Sequence, residues 1–145
     1  MVPSGLSQAD IDRIRDGYRR FTENDPTFLD AFEPDATLVF PETLPNGGTY
    51  ASPLEALAFW NRIGELFENP RPEPEEFTRE GDLLVVLGHF QGRARKTGVR
   101  VALRFAHIYR LADPEAPLGD QMYTSLEVVI DTAAVIAALA EEDRE

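Results

Sequence analysis

Between Asp82 and Asp131 the chain runs through three long segments of alternating pattern, and no other stretch constrains the fold as tightly. Residues 83–93 follow the turn Glu80-Gly81-Asp82, and Arg95-Lys96-Thr97-Gly98 turns the chain into residues 99–111. A longer loop, 113–120, with Pro114, Pro117 and Gly119, leads to residues 121–130. Side chains repeating with period two over such lengths predict antiparallel neighbours in one sheet. The middle segment places Val101, Leu103, Phe105, His107 and Tyr109 on a single face, an imidazole among hydrocarbon and aromatic groups. So apolar a face must be covered, and few helices precede it. A curved sheet half closed over a pocket is therefore expected rather than a flat sandwich.

The upstream half reads as helices with a short strand between them. Ser7 and Asp10 have the spacing of a capping box, after which Ile11, Ile14, Tyr18 and Phe21 recur at helical intervals. Asp25-Pro26 starts a second, short helix that Glu33-Pro34-Asp35 stops. Residues 36–41 read as a strand in which Pro41 is barred from a central ladder position, and Asn46-Gly47-Gly48 as a turn. Ser52-Pro53-Leu54-Glu55 opens a helix whose apolar stripe is Leu54, Leu57, Ala58, Trp60, Ile63, Leu66 and Phe67, ending at Asn69-Pro70. Arg71-Pro72-Glu73-Pro74 is too rich in proline for regular structure and reads as a connector. Asp131 caps a last helix through Ala140. With no internal repeat, residues 1–145 read as one domain.

Composition removes several classes of function. Twenty-six acidic against fourteen basic residues give a formal charge of −12, which opposes binding to nucleic acid or an anionic membrane. The absence of cysteine excludes disulfides, thiolate metal sites and a cysteine nucleophile, and two histidines leave little for a metal centre. Neither a metal nor another cofactor is expected. The opening residues lack a basic stretch followed by an apolar run, and no segment approaches the ~20 apolar residues of a membrane span. A cytoplasmic protein is expected. Both faces of 83–93 are apolar, Leu83, Val85 and Leu87 opposing Leu84 and Val86, so the outer face is expected to meet a second subunit in a homodimer. The alternative is that the closing helix covers it.

Several strings, in order, resemble the SnoaL-like branch of the NTF2-like superfamily, which includes ketosteroid isomerases, limonene epoxide hydrolases and polyketide cyclases. They are Gly17-Tyr18-Arg19-Arg20-Phe21, Phe32-Glu33-Pro34-Asp35-Ala36, Gly47-Gly48-Thr49-Tyr50, Gly81-Asp82, Val85-Val86-Leu87-Gly88, Phe105-Ala106-His107-Ile108-Tyr109 and Asp131-Thr132-Ala133. The resemblance implies an α+β cone: a curved, mostly antiparallel sheet wrapped around N-terminal helices, a C-terminal helix, an apolar cavity and dimerisation through the convex face. By position it places Phe40, before Pro41, where the isomerases carry their base. It places His107 at their oxyanion-stabilising acid and Tyr18 near their assisting tyrosine. The epoxide hydrolases' aspartate at the end of the last strand falls on Asp131, while their other aspartate and their arginine fall on Phe90 and Gly88. Neither constellation is intact.

The expected reading is a small hydrophobic molecule, carbonyl-bearing or polyketide-like, bound in a cofactor-free cavity. Acid/base chemistry of the isomerase or cyclase kind would rest on His107, Asp131 and Tyr18, with Phe40, Trp60, Phe90, Phe105, Tyr109, Tyr123 and Glu127 lining the ligand. Each candidate also has a structural reading. His107 could be a satisfied core histidine, Asp131 a plain helix cap, and Tyr18 and Trp60 parts of the wall. His89 is expected on the outer surface, and Arg100, Arg104 and Arg110 on a solvated face. The functional alternative is a non-catalytic ligand-binding or dimerisation module.

Overall fold

The computed structural model describes residues 5–140; residues 1–4, part of the segment read above for a leader, lie outside them. Helix α1 (Gln8–Thr22) begins on the expected box: Asp10 N–H donates to Ser7 Oγ at 3.1 Å, and Ser7 N–H donates to the Asp10 carboxylate at 3.2 Å. A 3₁₀ helix at Pro26–Ala31 starts under Asp25, whose carboxylate accepts from Thr27 N–H. Then come β1 (Phe32–Phe40), β2 (Gly48–Tyr50), α2 (Pro53–Leu66), β3 (Phe67–Glu80), β4 (Leu83–Ala94), β5 (Arg100–Leu111), β6 (Tyr123–Ile130) and α3 (Thr132–Ala140). One sheet holds all six strands in the order β2-β1-β6-β5-β4-β3, antiparallel except for the β1–β6 pair.

Three local expectations are corrected. The strand before Pro41 begins at Phe32, taking in Glu33-Pro34-Asp35, because an irregularity between Phe32 and Thr37 absorbs Pro34. Arg71-Pro72-Glu73-Pro74 is not a connector but the middle of β3. Proline is tolerated there because β3 is an edge strand, with one row of backbone groups free of ladder duty, and because the register slips at Glu68/Arg71 and Pro74/Glu76. Such bulges bend and twist an edge, which suits a sheet that must curl. Helix α2 stops at Leu66, and Leu54, assigned above to its apolar stripe, is 71% exposed while Ala56 and Phe59 are buried.

The register separates two faces. Leu84, Tyr109, Leu126 and Leu38 lie in one row and Val86, His107 and Val128 in the next, all on the side packed against the helices. The opposite rows are Val85, Ile108, Glu127 and Val39, then Leu87, Ala106 and Val129. Helix α3 leaves that outer face uncovered, since its Val135 lines the inner cavity. His89 lies on the outer side, as expected, with Nδ1 2.9 Å from Glu75, and Arg104 pairs with Glu75 and Glu76 beside it.

Two interior devices hold the frame. The buried Arg79 guanidinium donates to the carbonyls of Gly81, Ala116 and Asp113, tying the 113–120 segment to the β3–β4 turn. At Gly88 a β-carbon would run into the Glu73 carbonyl oxygen and lie 2.8 Å from the Phe105 ring, so β3 and β5 approach this residue too closely for any side chain. Gly88→Ala should cost about 3 kcal/mol or more in urea unfolding, whereas Gly64→Ala, inside α2 where a β-carbon meets nothing within 4 Å, should stabilise by about 0.5–1 kcal/mol.

Candidate functional site

A cavity of about 1360 Å³ runs between α1 and the inner face of the sheet. Ligand pockets are commonly ~300–1,000 Å³, so this one has room for an extended polycyclic molecule. Its wall is aromatic. Phe40 and Phe59 stack with centroids 3.9 Å apart, Trp60 meets Phe40 edge-on at 5.6 Å, and Phe21 and Phe28 close around Trp60. Phe67 and Phe90 add a further edge-to-face pair at 5.6 Å.

Polar groups concentrate at three places. At the end of β5, Arg13 stands with Asp113, Asp120 and Gln121; at the opposite end, Asn61, Asn69, Arg71 and Arg95 line the wall. Between them, on β5, is His107. Its ring lies flat on Phe105, centroids 3.9 Å apart, and Tyr18 Oη sits 2.7 Å from Nδ1. The same hydroxyl is 2.8 Å from Tyr109 Oη. Nε2 has no partner among the described residues, yet no buried side-chain nitrogen or oxygen there is left unpaired, so Nε2 is the ring atom that meets the cavity.

Burial sets the electrostatics. It holds the His107 imidazole down from 6.5 to about 3, so the ring is neutral at any ordinary pH. Burial likewise raises Tyr18, Tyr109 and Tyr123 above the usual phenol range, so all three keep their protons. A neutral imidazole flanked by neutral phenols is a hydrogen-bonding centre, and a feeble base.

The predicted residues separate into two groups. His107, Tyr18, Phe40, Trp60, Phe90, Tyr109 and Tyr123 all line the cavity. Phe105, expected as lining, is 2% exposed and backs His107 instead of facing the void. Glu127 pairs with Ile108 and Val39 and so projects from the outer face, because β6 keeps strict alternation alongside β5 up to Arg110. Asp131 is exposed and accepts from Ala134 N–H at 3.1 Å; it caps α3 and is not among the cavity-lining residues. The hydroxyl of Tyr18, expected to reach the ligand, is occupied on both sides. Sequence reasoning missed Phe59, which lies off the assumed stripe of α2, and the Tyr109 hydroxyl as partner of Tyr18. The alternation of β5 had put Tyr109 on the right face but could not show that its tip reaches α1.

The family model for the SnoaL-like domain matches residues 10–115. The chain belongs to the SnoaL-like family. Among solved structures, an NTF2-like protein of unknown function from Burkholderia pseudomallei shares 26% identity over 92% of this chain and 98% of its own, with a TM-score of 0.77. TerC, crystallised with polyporic acid, shares 25% over 90% and 97%, with a TM-score of 0.75. IdmH of Streptomyces antibioticus, a candidate polyketide cyclase, shares 19% over 92% and 99%, with a TM-score of 0.71, a likeness of fold. No curated protein matches the sequence. In this SnoaL-like chain, no group of three or more histidines and carboxylates among the described residues is placed to hold a metal ion. No described helix is long and apolar enough to cross a membrane.

The depressed His107 has a consequence for stability. Unfolded, the ring takes up a proton as pH falls through 6.5; folded, it does so only near about 3, so stability is full above 6.5 and falls below it. Between pH 7 and pH 5 this ring should cost about 2 kcal/mol of unfolding free energy. Urea titrations at the two pH values should show that loss in the native protein and its absence in His107→Gln.

Proposed function

We propose that the protein binds an extended, largely apolar molecule bearing carbonyl oxygens and acts on it as a cofactor-free isomerase or cyclase. The observation that carries this reading is His107 Nε2, one unpaired polar atom at the middle of a long aromatic cavity. A neutral donor aimed at a carbonyl oxygen stabilises negative charge as it develops there, and does so more strongly among aromatic side chains than in bulk water. Phe40 occupies the position of the isomerase base, and the cavity's carboxylates, Asp30, Glu33, Asp113 and Asp120, belong to its end segments. Chemistry of this kind therefore suits a carbon already acidic, flanked by two carbonyls. Its C–H proton leaves to water, and the enolate oxygen takes the hydrogen bond from Nε2. His107 then acts as an oxyanion stabiliser, the role the resemblance implies for its position.

The test has two stages. A thermal-shift screen of steroids, small enones, polyketide fragments and polyporic acid should give hits, since a ligand preferring the native state raises Tm. Turnover of a hit, followed by mass spectrometry, should fall about 100-fold or more in His107→Ala, and full turnover in that variant would end the catalytic reading. The same phenyl ring at Phe40 favours a second reading, a non-catalytic carrier, for which hits would bind and emerge unchanged.

The homodimer is part of this proposal. Val85, Leu87, Ala106, Ile108 and Val129 form an apolar patch on the outer face, Val129 being 49% exposed, with Glu127 and the Arg104–Glu75 pair beside it. Light scattering should give twice the chain mass, and Val129→Arg should return it to the monomer.

A further inference from the structure

We infer that Tyr18 locks His107 in its Nε2–H tautomer, acting as a positioning residue, so that the cavity permanently offers a hydrogen and never a lone pair at this point. Tyr18 has one hydroxyl hydrogen and two neighbours within hydrogen-bond distance, His107 Nδ1 at 2.7 Å and Tyr109 Oη at 2.8 Å. Two arrangements of hydrogens fit these distances. In the first, Tyr109 O–H donates to Tyr18 Oη, Tyr18 O–H donates to Nδ1, and the ring carries its hydrogen on Nε2. In the second, Nδ1–H donates to Tyr18 Oη, Tyr18 O–H donates to Tyr109 Oη, and the Tyr109 hydrogen has no protein acceptor among the described residues.

The first arrangement places both hydroxyl hydrogens. It leaves only Nε2–H without a protein acceptor among the described residues, on a ring partly exposed to the cavity, whereas the second leaves the Tyr109 hydrogen, on a residue only 6% exposed, where an unfilled donor costs more. The difference between them decides the tautomer. The ring is also held in place: Phe105 lies flat against it and Tyr18 is nearly parallel to it at 5.7 Å between centroids, so a flip exchanging Nδ1 and Nε2 would break the stack on Phe105 and take Nδ1 away from the Tyr18 hydroxyl. Val86 and Val128 flank His107 across the sheet, and the titratable groups facing it, Tyr18 from α1 and Tyr109 from its own strand, keep their protons. Among the described residues no carboxylate is bonded to the imidazole to pull it toward the charged form.

The lock deepens the functional reading, on which its meaning for a ligand rests. A donor-only point recognises an acceptor oxygen, a carbonyl or an enolate, and discriminates against an ammonium or any other group that brings only hydrogens. The lock itself is a property of the empty protein, so it can fail or stand apart from catalysis.

Long-range nitrogen–proton correlation spectra of the ¹⁵N-histidine-labelled full chain test it directly. With two histidines in the sequence, a His89→Gln companion sample assigns the signals. The expected His107 pattern is a pyrrole-type Nε2 and a pyridine-type Nδ1, unchanged between about pH 5 and 8. A pyrrole-type Nδ1, an averaged pair of signals, or conversion to two pyrrole-type nitrogens within that range would overturn the inference. Tyr18→Phe, which leaves the ring its shape and removes the hydroxyl, should move the two resonances toward each other as both tautomers become populated; an unchanged pattern would show that Tyr18 is not the lock. Should Tyr18→Phe fail to fold, Tyr109→Phe decides: Tyr18 then still has only Nδ1 to donate to, so Nε2–H persists, and a switch to Nδ1–H would refute the stated direction of the hydrogen bonds.

Discussion

The Tyr18 hydroxyl lies within hydrogen-bond distance of two polar atoms of β5, His107 Nδ1 and Tyr109 Oη. Everything functional in the molecule is arranged around that contact. It fixes the distance between α1 and the sheet, because a helix a few ångströms higher would leave an imidazole nitrogen and a phenol oxygen unpaired in apolar surroundings. It also fixes the ring, so the remaining nitrogen points into the void beside it.

The aromatic wall answers a different demand. Before Pro41, Phe40 is 1% exposed and stacked on Phe59, with Trp60 edge-on against it. A carboxylate there would need partners that this hydrocarbon environment does not contain. Offset and edge-to-face contacts of this kind are each worth about 0.5–1.5 kcal/mol beyond area burial. The wall at Phe40 is thus hydrocarbon, and the polar atoms on the inner face of β5 are those of His107 and Tyr109.

Much of the fold could be read directly. The capping residues Ser7, Asp25, Ser52 and Asp131 each cap the helix they were expected to start, because a cap depends only on the few residues next to it. The long alternating segments also pair as expected, since period two over a dozen residues has no helical counterpart. Arg71-Pro72-Glu73-Pro74 was misread because proline rules out a central strand but not an edge one, and whether a strand is an edge depends on the order of the whole sheet.

The site follows the same division. Sequence alone determined that an imidazole and two phenols stand on inward faces of α1 and β5, that a phenyl ring precedes Pro41, and that cysteine chemistry is absent; these depend on residue identity and local periodicity. Tertiary structure decided which of those groups touch. It turned Glu127 outward, gave Asp131 to a helix cap, put Phe105 behind the imidazole, and set one hydroxyl between Nδ1 and Tyr109. The physical reason is range. Periodicity fixes a side chain's direction within its own element, whereas a hydrogen bond between residues 89 or 91 positions apart depends on where two elements are packed, to within a few tenths of an ångström.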